Sequence, residues 1–459
     1  MTEKKRTFTP RVPHKYIGTY RPRSDAYEKA SGMAKYSEDI TLKRQYPDML
    51  YMKMLKSPYP NARIKSIDTS KAAMLPGVVG ILKYTDPEIA KLKMTNACWT
   101  DGTATQDQKR GFTYGNLDRK ILGDHAHWMG DELGVAIAAE SIEIAEEALK
   151  LVDIEWEVLP FVVKMEDAAK PEAPIVHPEF NTGSNYLAYY EFMGPDTYVD
   201  RGNVDIAFAE ADVVLDTQCM YGNPQQCALD YWNCLIDWGK DQITVVSDSY
   251  AVDQTRMHFH DMLDVPLSSV RVISPYEGGQ HGRGDTGEQP FFLVSALMSK
   301  KTGRPVKYRQ SRKEHFHDTR TSMVGKVKIG AKKDGTITAV QIENTGNKGA
   351  YADIGMAAIK FVPQEWATVS TGRIPNLRMI GKGIYTNTIP SSCMRSIGNI
   401  QMNYFLGLAM DTLAERLGID PIELAIKNIS CHNVPTPNPC VEEVIRAAAR
   451  EIGWEMRHA

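Results

Sequence analysis

Pro275-Tyr276-Glu277-Gly278-Gly279-Gln280-His281-Gly282-Arg283-Gly284-Asp285 follows the short apolar run Val270-Arg271-Val272-Ile273. The run reads as a strand, and the loop after it is dense in glycine. Glycine lets the backbone take positive φ and come close to a ligand, and several together leave peptide N–H groups free to cradle an anion. Turns and bulges also collect glycines, so on this stretch alone a ligand loop and a plain turn both stand.

The 459 residues exceed what one growing core usually supports, so two or more domains are expected. The apolar share of 42% and charged share of 24% are those of an ordinary globular chain and exclude a disordered or coiled-coil class. A formal net charge of −3 points to no nucleic acid and no acidic membrane surface. The seven cysteines, at 98, 219, 227, 234, 393, 431 and 440, include no tight pair that could seat zinc or an iron–sulfur cluster. Dispersed thiols suggest a reducing compartment. The polar start Met1-Thr2-Glu3-Lys4-Lys5-Arg6 leads into no apolar export segment, and no apolar run approaches the roughly 20 residues of a membrane span. A soluble, cytoplasmic protein is expected.

Outward from the loop, the pattern alternates strands and helices. A helix is expected over 251–263 before the loop and another over 291–300 after it. Upstream, residues 134–139 and 152–160 read as strands flanking a helix that Ser141 can cap. His125 and His127 form an HxH pair, but a metal reading finds no third ligand near them in sequence and a strand edge is the expected role. Residues 167–200, with Lys170-Pro171-Glu172-Ala173-Pro174 and Gly194-Pro195, read as a linker. Downstream, Lys333-Asp334-Gly335 predicts a hairpin turn. A second irregular stretch, Pro390-Ser391-Ser392-Cys393-Met394-Arg395-Ser396-Ile397-Gly398, precedes helices expected over 402–417, from Asp420-Pro421 onward, and over 441–452.

Taken in order, these pieces resemble the molybdenum-cofactor-binding subunit of the xanthine oxidase (molybdenum hydroxylase) family. The matching segments are 25–40, 57–68, 75–82, 130–136 and 152–160, then Gly278–Gly284, Thr302–Lys307, Gly349-Ala350-Tyr351, Arg395–Gly398 and 413–428. The resemblance implies an α+β fold. It comprises an arm over 1–24, an α/β hammerhead domain over 25–166, the linker over 167–200, and over 201–459 the first half of an aldehyde oxidase/xanthine dehydrogenase-type molybdopterin-binding domain.

The resemblance also implies a molybdenum–molybdopterin cofactor, plain or in its cytosine dinucleotide form, which carries the redox chemistry while the protein places it. The family's base is a glutamate near its C-terminus in a Gly-Val-Gly-Glu-type sequence, and this chain has none. A second molybdopterin-binding chain is therefore expected to supply it, as in nicotinate dehydrogenase, whose cofactor subunit is divided. A [2Fe-2S] subunit and an FAD subunit would carry the electrons away. The expected reaction is hydroxylation or dehydrogenation of a small aromatic, heteroaromatic or alicyclic carbonyl substrate. Ring reduction, hydration, and a non-catalytic cofactor-assembly role are the alternatives.

Residue by residue, the family pattern assigns Gly278, Gly279, Gln280, His281, Gly282, Met394, Arg395 and Ser396 to cofactor binding. His281 replaces a phenylalanine beside the metal, adding a donor with either a catalytic or a structural role. Tyr250 stands where the family has a glutamine that bonds the metal's oxo ligand, and a phenol can still donate there. Asp285 falls at a substrate-contacting carboxylate, or else caps a turn. Ile397 replaces an aromatic substrate clamp, and Pro363 occupies the place of the purine oxidisers' arginine. Those losses argue against xanthine itself.

Overall fold

The computed structural model describes residues 20–92, 119–180, 183–186, 197–282, 290–317, 319–351, 359, 374–392, 394–428 and 441–457. Its organising element is a seven-stranded mixed sheet. The strand order is Val270–Ile273, Ile243–Ser247, Asn233–Trp238, Val306–Arg309, Leu50–Lys56, Glu132–Ala139 and Val78–Lys83. The last three strands come from the N-terminal segment and the first four from beyond the linker. The join is a parallel pairing of Leu50 with Val306, so the two segments share one sheet.

One face of that sheet is covered by the helix Pro290–Thr302, which contacts Asn233–Trp238, Val306–Arg309 and Val78–Lys83. Every residue from Pro290 to Ser299 is buried, which explains an apolar run with no polar face. Phe291 stacks on Phe292 and on Tyr308 with ring centroids 4.8 and 4.7 Å apart, anchoring the core. The helix Ile142–Lys150 begins at Ser141, whose hydroxyl accepts from the Ile144 amide at 3.3 Å.

A second, five-stranded sheet runs Thr197–Arg201, Asn376–Tyr385, Ile337–Gly349, Ser322–Ala331 and Val213–Tyr221. The turn at Lys333-Asp334-Gly335 joins two of its strands, with Gly335 at φ 84°. The helix Asn399–Leu417 packs on Ser322–Ala331 and Val213–Tyr221, burying Met402, Phe405, Ala409 and Leu413. It starts three residues before the expected 402, because Gly398 at φ 75° turns the chain sharply into it. The third helix covers Val441–Glu451.

The 167–200 segment is not merely a tether. Within it Val176, His177 and Asn185 are almost fully buried, and Asn185 binds the Val176 amide and the Ala168 and Pro174 carbonyls. Proline and glycine mark where this segment turns, but its middle packs as core.

Candidate active site

The strands Ile243–Ser247 and Val270–Ile273 are parallel neighbours, so their C-terminal ends emerge at the same edge of the sheet. The segment after the first carries Asp248, Ser249 and Tyr250; the loop after the second carries Gly278 to Gly282. Gln280 joins them. Its side-chain amide donates to the Asp248 carbonyl, and Gln280 itself is 7% exposed. Tyr250 stands 42% exposed beside this junction.

The loop's backbone has the shape its glycines suggested. Gly279, His281 and Gly282 all have positive φ, at 111°, 55° and 110°. Histidine is among the few residue types that enter this region at modest cost. A Cβ built on Gly279 would sit 3.4 Å from His281 Nε2 and 3.7 Å from the Ala228 Cβ. Behind the loop, Gly278 exchanges bonds with Asp230: its amide donates to the Asp230 carboxylate at 3.3 Å, and its carbonyl accepts from the Asp230 amide at 3.2 Å. Arg312 fixes that backing segment by donating to the Ala228 and Leu229 carbonyls.

The second irregular stretch meets the first directly. The Arg395 amide donates to the His281 carbonyl at 2.6 Å, bringing together residues 114 apart in sequence. Two buried cations hold this second loop from behind. Arg320, 4% exposed, donates to the carbonyls of Arg395 at 2.6 Å and Ser396 at 3.1 Å. Lys348, fully buried, donates to the Ser391 carbonyl at 2.7 Å and to its hydroxyl at 2.9 Å. The pairing of Arg320 with Ser392 in a short parallel ladder fixes the register. Ser396 is held at φ 68°. Arg395, Ser396 and His281 are exposed, Met394 and Ile397 are half-buried, and Ile397 packs against the core of the five-stranded sheet. Asp285 and Pro363 lie outside the described residues.

Beside Ser392 is a polar cavity of 60 Å³, lined by Arg119, Trp128, Glu132, Trp232, Glu314 and His317 among others. It has room for a few waters and is too small for a ring substrate. Burial pushes the Glu314 carboxyl up, but Lys56 and Lys53 outweigh burial and hold it down at about 2. Glu314 is paired with Lys56 and lies 3.7 Å from Lys53. Burial lowers His317 to about 4, with Lys56 acting in the same direction.

These residues fit one side of an anionic pterin cofactor. Gln280 Oε1 is buried with no hydrogen-bond partner among the described residues, so it has an acceptor to offer. Positive φ at Gly279, His281 and Gly282 gives the loop the backbone freedom an anion cradle needs, and Arg395 adds an exposed cation. Sequence reading missed Arg320, Lys348 and Arg312. Each is a basic residue in a strand or turn with no motif around it, and only tertiary pairing shows what it holds.

Comparison with known proteins identifies the domains that carry these residues. The molybdopterin cofactor-binding domain model matches residues 188–429, and the aldehyde oxidase and xanthine dehydrogenase a/b hammerhead domain model matches residues 31–160. The nicotinate dehydrogenase large molybdopterin subunit of Eubacterium barkeri is 30% identical over 424 residues, covering 90% of this chain and 89% of that protein. The xanthine dehydrogenase molybdenum-binding subunit of Escherichia coli O157:H7 is 29% identical over 457 residues, covering 95% of this chain and 56% of that protein. The chain thus spans about half the length of several curated relatives it matches. The quinoline 2-oxidoreductase structure from Pseudomonas putida 86 has the same fold, with a TM-score of 0.82 at 21% identity over 97% of this chain and 55% of that one. With its hammerhead and cofactor-binding domains both matched, the chain belongs to the xanthine oxidase family of molybdenum hydroxylases, among their molybdenum-cofactor-binding subunits.

Proposed function

We propose that this chain is the N-terminal part of a divided large subunit in a molybdenum-dependent hydroxylase or dehydrogenase. Its substrate is a small aromatic, heteroaromatic or alicyclic carbonyl compound. The observation that carries the reading is the bond from the Arg395 amide to the His281 carbonyl, which assembles the two loops into one half of a cradle. Size agrees with it: the nicotinate dehydrogenase large molybdopterin subunit of Eubacterium barkeri is matched over 89% of its own length.

In this reading the loop Gly278–Gly282 and the segment Met394–Ser396 hold the cofactor, plain or with a cytosine dinucleotide. When bound, the cofactor supplies two-electron redox chemistry with water-derived oxygen. Gln280, whose Oε1 is buried without a partner among the described residues, would accept from an N–H of the pterin. In the bound state His281 would donate to, or exchange a proton with, a group at the metal, and Tyr250 would donate from the neighbouring segment. Ile397, and on the family pattern Asp285 and Pro363, border the substrate. A second cofactor-binding chain brings the glutamate base, which this sequence lacks, and covers the exposed side of His281 and Arg395. [2Fe-2S] and FAD subunits receive the electrons. No helix among the described residues is long and apolar enough to cross a membrane, which is compatible with a cytoplasmic complex.

The test is native purification followed by elemental analysis and mass identification of every co-purifying chain. Molybdenum, iron and a companion bearing the glutamate are expected. A solitary chain that stays free of molybdenum after gentle handling would overturn the proposal in favour of an assembly role.

A further inference from the structure

The HxH pair that lacked a third ligand in sequence acquires partners in space. The fold brings His177 and Glu179, some fifty residues on, against His127, so that one ligand atom from each lies within 4.8 Å of the other two. His127 comes from the segment before Glu132–Ala139, His177 and Glu179 from the buried middle of the linker. Their roof is Ala350-Tyr351, at the end of the long strand of the five-stranded sheet.

For neutral rings the hydrogen bonds set which nitrogen carries the proton. Tyr351 donates its hydroxyl hydrogen to the buried Asp131 carboxylate, which also accepts the His127 amide at 3.1 Å. Its oxygen is then the acceptor for His127 Nδ1–H, at 3.2 Å. That leaves the lone pair on His127 Nε2, an atom that is buried and has no partner among the described residues; the residue is 6% exposed. In His177, Nε2 lies 2.6 Å from the Ala350 carbonyl, which can only accept, so the proton is on Nε2. With the ring neutral, the lone pair of Nδ1 then faces a Glu179 carboxylate oxygen at 2.8 Å. Two acceptors at that distance need a cation between or beside them.

We propose that His127 Nε2, His177 Nδ1 and the Glu179 carboxylate form a binding site for a divalent transition metal of the zinc class, pinning the hammerhead segment to the linker. Two imidazoles and a carboxylate are an established donor set for that class, with a fourth position left to water. The outer partners are those such sites use: a carbonyl on the second nitrogen of one histidine and a tyrosine–carboxylate pair on the other. Glu179 is 49% exposed, which gives the ion a route in. His125 is not a ligand in this arrangement; its Nε2 is 2.8 Å from the Asn61 side-chain oxygen, and its ring lies 4.0 Å from that of His127.

One adjustment is required. The His127 and His177 rings are nearly parallel, 18° apart with centroids 4.5 Å apart, and an ion must lie in the plane of each ring it binds. Closure therefore needs one ring to turn and the ligand atoms to settle about 3.3 Å from one another, the edge of a zinc tetrahedron, with His127 Nε2 drawing in while His177 Nδ1 and the Glu179 oxygen open from 2.8 Å. His127 is the ring that turns, since its Nε2 gives up no bond, and the Tyr351 hydroxyl must follow its Nδ1.

The full chain, with any companion that co-purifies, is stripped with a chelator and titrated with Co²⁺ alone, followed by visible absorption and by isothermal calorimetry. One Co²⁺ per chain is expected, with the visible bands of a four-coordinate centre. Glu179→Gln sits at a half-exposed position that spares the fold, and together with His127→Gln it is expected to weaken binding at least tenfold. Circular dichroism confirms that both variants are folded. Absence of stoichiometric Co²⁺, or equal binding by the wild type and Glu179→Gln, would overturn the site and leave a shared proton between His177 and Glu179 as the cation.

Discussion

Replacing Arg320 by methionine tests whether the second loop is held from behind rather than shaped by its own sequence. The guanidinium makes two charge-assisted bonds, to the carbonyls of Arg395 and Ser396, from a site that is 4% exposed. Bonds to a charged group are worth about 1.5–3 kcal/mol each, and water entering the loosened site restores part of that. A net local loss of about 3 kcal/mol is a reasonable expectation, and at 1.36 kcal/mol per factor of ten it corresponds to roughly 100-fold. The readout is hydrogen exchange at the Arg395 amide, which is protected by its bond to the His281 carbonyl. In Arg320→Met, a peptide spanning 394–402 is expected to exchange about 100-fold faster, while one from Ser322–Ala331 is unchanged because its protection comes from the sheet. Molybdenum content of the purified complex is expected to fall in parallel. Unchanged exchange at Arg395 in a folded variant would refute the reasoning, because the loop would then hold its shape without the cation.

Gly279→Val places a β-branched residue at φ 111° and wedges it between His281 and Ala228, so molybdenum content is expected to drop at least tenfold with circular dichroism unchanged; full occupancy would remove the loop from the cofactor site. His281→Phe is expected to alter turnover of the reconstituted enzyme far more than its metal content, and equal turnover would assign His281 a purely structural place. Glu314 gives a pH signature. Its carboxyl is held at about 2 in the folded chain against an ordinary 4.5, so its contribution is present above pH 4.5 and is lost as pH falls toward 2. The full shift corresponds to about 3 kcal/mol, of which about 2 kcal/mol is gone by pH 3. Denaturation of wild type and Glu314→Gln is expected to show a stability gap that narrows by that amount between pH 6 and pH 3, and a constant gap would break the assignment to the Lys56 and Lys53 pairing.

What could be read from sequence was local. Ser141 caps its helix, Lys333-Asp334-Gly335 turns its hairpin, and the glycines at 278, 279 and 282 shape a loop after a strand, because each depends on its immediate neighbours. The helix before the loop, expected over 251–263, runs Val252–Leu263 for the same reason. What escaped was set by residues far apart in the chain. Arg320 reaches Arg395, Lys348 reaches Ser391, and His177 lies against His127, and no periodicity in a single segment announces such meetings. The packing inside the linker escaped for a related reason: its prolines mark turns, while burial of His177 and Asn185 is decided by the strands that close over them.

The parallel pairing of Leu50 with Val306 has a consequence for how this protein is made. The N-terminal strand leaves the ribosome 256 residues before the partner that completes its side of the sheet. At about 5–20 residues per second that is a wait of roughly 10–50 s, during which Leu50–Lys56 has one unpaired edge. The hairpin-like neighbours Glu132–Ala139 and Val78–Lys83 can assemble early, but Met52 and Leu50 stay open on the other side until Val306–Arg309 emerges. An open edge of apolar residues is a template for pairing with the wrong chain. Production of soluble protein should therefore respond to chaperone supply and to slowed growth more than to any single core substitution, and cutting the gene at the linker should give two pieces that each expose a raw sheet edge.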